Sequence, residues 1–108
     1  MNTFDERERA FESRFAHDEE LRFKSVARRN KLLGQWAAER LGHTGDAAEA
    51  YARAVVRADF EEPGDEDVFR KIRADFDAAN VPVDDAELRG KMRELLVMAA
   101  EQVQEARS

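Results

Sequence analysis

Apolar residues recur at helical rather than strand spacing along most of the chain. At about 100° per residue, Leu88, Met92, Leu95, Leu96, Ala99 and Val103 gather within an arc of roughly 100°, the width of a core-facing stripe. The pattern predicts a helix over about 84–106. It opens after Pro82 at Asp84 or Asp85, whose carboxylates can cap free N–H groups and suit the positive end of the helix. Upstream, Phe69, Ile72, Phe76 and Ala79 form a similar stripe and predict a helix over about 65–79, starting at Asp65 behind the Pro63-Gly64 turn. A helix over about 46–60 follows Thr44-Gly45, with Asp46 as its cap and Tyr51, Val55 and Ala58 inward; its alanines favour helix and let a neighbour approach closely. The helix before it, about 19–41, presents Phe23, Val26, Leu33, Ala37 and Leu41 inward and stops at Gly42. Gly34 and Gly90 sit inside helices, where close approach of a second helix would offset the roughly 1 kcal/mol that glycine costs relative to alanine. No stretch alternates apolar and polar residues with β-branched enrichment. The expected fold is all-α, a four-helix bundle over residues 19–108.

Residues 1–18 do not fit inside that bundle. Thr3 and Glu6 make a capping box, and Phe4, Phe11 and Phe15 fall within roughly 40° of one another on a helix whose remaining positions are mostly charged. A single narrow aromatic stripe on about thirteen residues is marginal as an isolated helix in water. The segment is therefore expected to be a flexible or frayed helical arm, disordered or transiently helical when free, or an unsupported continuation of the first bundle helix. Three aromatic rings with this spacing suit docking into a partner's groove. Folding back onto the bundle as ordinary core remains open, and the nearly neutral polar face disfavours a membrane-surface role.

Charge narrows the classes further. The chain carries 24 acidic and 18 basic residues in 108, a net charge of −6, which argues against nucleic-acid binding. The imbalance lies almost entirely beyond residue 41, while residues 18–40 are net positive. There is no cysteine, hence no disulfide, thiol nucleophile or thiolate metal ligand. No apolar run is long enough to span a membrane, and the N-terminus is charged where a signal peptide would be apolar, so a soluble, cytoplasmic protein is expected. A single small domain of this length has little room for a deep cleft.

The residues that could carry chemistry are few. The run DFEEPGDED at 59–67 has six acids in nine positions but lacks the register of a calcium loop, and reads as a helix stop, a turn and an acidic helix start. His17 and His43 have no second ligand at helical spacing, so no metal site is expected, and His17-Asp18 reads as the joint between arm and bundle. Neither a catalytic triad nor a phosphate-binding glycine loop is present, and neither an enzyme nor a cofactor is expected. Arg28, Arg29 and Lys31 form a basic cluster that reads as a solvated face or as salt bridges to the acidic half. With Trp36 it could instead hold a nucleotide or another anion, which would make the chain a small-ligand binding module. A homodimer joined through the phenylalanine stripe is a third reading.

The stretches FDERE (4–8), FAHDEELRFK (15–24), ARRNKLLGQWAAERLG (27–42) and EEPGDEDVFRKI (61–72) resemble, in order and over nearly the whole chain, the zeta-type ATPase inhibitor family of alphaproteobacteria. The resemblance implies a regulatory, non-catalytic protein that binds the catalytic head of F-type ATP synthase and blocks ATP hydrolysis. It further implies that an N-terminal helical segment, here about residues 1–18, inserts at a catalytic interface between alpha and beta subunits toward the rotor while the bundle stays outside. On this chain, Phe4, Phe11 and Phe15 would be the apolar anchors, and Arg7, Arg9 and Arg14 the partners of subunit carboxylates. The expected free protein is a monomer, associated through the synthase with the cytoplasmic side of the inner membrane and not inserted in it.

Overall fold

The computed structural model describes residues 3–59 and 65–107, with the side chains of Phe4, Phe11 and Arg107 outside the description. It consists of α1 (Thr3–Phe15), α2 (Glu19–Arg40), α3 (Gly45–Ala58), α4 (Glu66–Ala78) and α5 (Asp85–Arg107), and the described residues contain no strand. Helices α2 to α5 form the expected four-helix bundle, with α2 packed between α3 and α5 and α4 closing on α3 and α5. The predicted Pro63-Gly64 turn lies outside the described residues.

Local chemistry sets the boundaries. The Asp18 carboxylate accepts a hydrogen bond from the Leu21 N–H at 2.9 Å and starts α2, and the Asp84 carboxylate accepts one from Glu87 N–H at 2.8 Å and starts α5. Helix α2 stops at Gly42, whose φ of 82° lets His43 N–H return to the Ala38 carbonyl at 2.9 Å. Asn80 plays the same part after α4 at φ 59°, with Val81 N–H on the Phe76 carbonyl. The residue before α3 is Thr44, and the expected cap Asp46 lies within the first turn instead, where its charge faces the free N–H groups.

The main core joins Leu33 and Ala37 of α2, Val55 of α3, Phe69, Ile72 and Phe76 of α4, and Leu88, Met92 and Leu95 of α5. A small separate cluster of Leu21, Ala100 and Val103 seals the far end. Two expectations need correcting. Phe23 is not inward: it is 72% exposed. The buried face of α2 instead follows Leu21, Ser25, Arg29, Leu33 and Ala37, each four residues from the last, because the first turns of α2 pack on α5 while α3 has ended at Ala58. Ala79 is exposed as well, since it caps α4 rather than belonging to it.

Gly34 does mark a close crossing, because a Cβ placed there would lie 2.6 Å from the Ala52 Cα and 3.1 Å from its Cβ. At Gly90 the nearest atom would be an Arg93 guanidinium nitrogen at 3.9 Å, so close approach does not explain that glycine. Gly34→Ala should therefore lower stability by about 1–2 kcal/mol, the strain of pushing α3 away exceeding the helix-propensity gain. Thermal unfolding followed by circular dichroism checks this, and an unchanged or higher midpoint would refute it.

Candidate functional site

None of the described side chains of α1 belongs to the main core. Asp5 and Glu6 in its first turn and Arg14 in its last complement the helix dipole. It unwinds at Ala16 and His17, whose N–H groups bond the Glu12 and Arg14 carbonyls, and Asp18 at once nucleates α2. The expected joint at His17-Asp18 is thus a short turn that ends α1, followed by the Asp18 cap of α2.

Arg7, Arg14 and Phe15 contact the end of the bundle. Arg7 donates from Nε and Nη2 to the two carboxylate oxygens of Glu101 on α5, the Nε bond being 3.1 Å. Arg14 donates to Gln104 Oε1 at 2.9 Å, one turn further along α5. The half-buried Phe15 ring lies under the Arg22 guanidinium at 5.9 Å. Hydrogen bonding from Glu101 raises the Arg7 pKa above its ordinary value, which keeps the pair ionic. Both partners are nevertheless well exposed, and water and salt leave such pairs little net strength. Arg9 is exposed, and the side chains of Phe4 and Phe11 lie outside the described residues. The described polar contacts of Arg7 and Arg14 with α5 thus lie at the solvated flank of the helix.

The basic cluster on α2 does not form one site. Arg28 donates to Gln102 on α5. Arg29 has a side chain only 1% exposed, and donates to Asn30 Oδ1 at 2.8 Å and to Asp65 Oδ1 at 2.7 Å. Asp65 precedes α4, yet its carboxylate makes no capping bond because it faces Arg29. Burial pushes the Asp59 carboxyl above its usual range, while a hydrogen bond with Asn30 and the Arg29 charge pull it partly back. Arg29 thus ties both ends of the α3–α4 connection to α2. Lys31 points to the seam with α3, and Trp36, about a turn beyond, packs edge-to-face on Phe76 at 5.7 Å with Arg40 and Lys91 near its ring. No cluster of three or more His, Asp or Glu placed to hold a metal occurs among the described residues.

Sequence reasoning missed the burial of Arg29 and the exposure of Phe23. The first had a signal: Arg29 continues the four-residue series of Leu21, Ser25 and Leu33, and the acidic run at 59–67 needs a counter-charge.

The comparisons agree with this architecture. A search of curated proteins finds no match. A protein solved by solution NMR is 49% identical over 80% of this chain and 98% of its own, with a TM-score of 0.70. Residues 1–102 match the family described as ATPase inhibitor subunit zeta. A match over almost the whole length, covering arm and bundle together, means that the chain belongs to the ATPase inhibitor subunit zeta family.

Proposed function

We infer that the protein is a non-catalytic regulator that binds the catalytic head of F-type ATP synthase on the cytoplasmic side of the inner membrane and blocks ATP hydrolysis through α1. The observation that supports this reading most is the way α1 is attached: a separate helix joined by a two-residue turn, none of whose described side chains enters the main core and whose described polar contacts are exposed. Such a helix leaves its seat at little cost. Arg7 and Arg14 exchange Glu101 and Gln104 for carboxylates of the alpha and beta subunits, Arg9 adds a third charge, and Phe4, Phe11 and Phe15 anchor the apolar side of the segment in the cleft. The bundle stays outside as a stop. Because the segment must give up its contacts with α5 to bind, its affinity depends on the partner presenting the right conformation. Rotation in the hydrolysis direction closes the cleft on the segment, and rotation in the synthesis direction expels it. The free protein is a monomer.

Titrating ATP hydrolysis by the purified catalytic head tests this. Full-length protein should inhibit, and a variant lacking residues 1–17 should lose inhibition while retaining the helical content of the bundle. Equal inhibition by the shortened variant, or equal inhibition of synthesis and hydrolysis in membrane vesicles, would refute the mechanism.

A further inference from the structure

Apart from α1, the outer face of the bundle carries a groove along the seam of α2 and α3 that none of the described helices fills. Its α2 wall is a ridge of residues four apart, Phe23, Ala27, Lys31 and Gln35, and its α3 wall includes Ala52, Arg53, Val56 and Arg57. Two hollows of about 300 and 570 Å³ lie along it and share Val56. The α2 ridge runs twelve residue steps from Phe23 to Gln35, so the groove is roughly 18 Å long, a little over three helical turns.

Its two ends differ chemically. At one, Phe23 stands 72% exposed beside Val26 and Ala27, a large aromatic in a lining whose carboxylates, Glu19 and Asp59, leave this end without the positive charge of the other. At the other, Lys31, Arg53 and Arg57 surround an alanine and valine floor. The single carboxylate in that lining, Glu49, is 3.9 Å from Arg53, and both are largely solvated. Lys31 and Arg57 have no carboxylate partner among the described residues. A cationic end is notable in a chain of net charge −6. The groove is also continuous with the foot of α1, because Arg22, which covers Phe15, lines it beside Phe23.

We propose that the α2/α3 groove is a second docking surface, which receives an acidic amphipathic helical segment of the catalytic head after α1 has engaged. This rests on the reading given under Proposed function. The length matches three turns of helix, the aromatic end takes an apolar side chain of the incoming stripe, and Lys31, Arg53 and Arg57 meet its carboxylates. A small anion would use the cationic end alone and leave Phe23 without a role. The groove supplies affinity and orientation, and α1 supplies the block.

The test uses the full chain carrying Phe23→Ser, or Arg53→Glu with Arg57→Glu, against the purified catalytic head, with dissociation constants from calorimetry and ATP hydrolysis read in parallel. Each variant should fold as the parent does by circular dichroism, bind at least tenfold more weakly, and still reach the parent's full inhibition at saturation. Parental binding should also weaken with added salt. Variants that bind and inhibit at the parent's concentrations overturn the groove and leave the arm mechanism standing. A parent that binds through these residues without inhibiting overturns the arm mechanism and leaves the groove. Loss of free phosphate or ATP binding to the charge-reversed variant, with Phe23→Ser inert, would replace the groove with an anion site.

Discussion

Arg29→Ala is expected to destabilise the protein by about 3 kcal/mol, lowering the thermal midpoint by about 12 °C. The change removes the charge that meets Asp65 and lies near Asp59, and it empties the volume of a side chain that is almost wholly buried. Asp65 is half exposed and can turn to water, which keeps the cost near the lower end for a broken buried pair. Arg29→Met, which keeps much of the apolar stem, should cost less. The Asp59 carboxyl already sits above its usual range because of burial, and without Arg29 it rises further. A raised carboxyl pKa costs stability as pH rises through it and costs nothing below the unfolded value. The difference between parent and Arg29→Ala should therefore shrink on moving from neutral pH to about pH 4. Urea unfolding at the two pH values checks both statements, and a variant as stable as the parent at neutral pH would show that the connection holds α4 without Arg29.

That arginine also shows what the sequence could and could not reveal. The number, order and approximate ends of the bundle helices were legible because their punctuation is local: Asp18, Gly42 and Asp84 act within one turn of themselves. The inward faces of α4 and α5 were legible where large aliphatic residues recur at Phe69, Ile72, Phe76, Leu88 and Met92. Helix α2 was harder. Its buried series passes through Ser25 and Arg29, so ranking positions by hydrophobicity selects Phe23 and rejects an arginine that the fold needs. Only tertiary knowledge, that α3 ends at Ala58 and that Asp65 meets Arg29, separates the two. The family was legible in the order of motifs, whereas the seat of α1 was not, since Glu101 and Gln104 lie 94 and 90 residues from their partners.

Phe76→Ala is expected to be the most damaging single truncation, costing about 4 kcal/mol and roughly 16 °C in thermal midpoint. The ring is fully buried between α2, α4 and α5, and Trp36 stands edge-on to it at 5.7 Å, so the deletion loses apolar burial and an aromatic pair and leaves a cavity that rigid neighbours fill only in part. Against a total stability of about 5–15 kcal/mol, a domain of this size would remain folded at low temperature but with a much smaller margin. Trp36 is the only tryptophan, and its fluorescence should shift to the red in the folded variant as water reaches the face that Phe76 covered. Urea titration with that signal gives the free energy, and a loss below about 1.5 kcal/mol would mean that the core collapses around the gap. Because no described side chain of α1 enters this core, Phe76→Ala should inhibit ATP hydrolysis as the parent does at temperatures where the variant is folded, and lose inhibition only as the bundle melts. Loss of inhibition in the folded variant would instead mean that α1 and the core act as one unit. The division between an inhibitory helix and a supporting bundle would then fail.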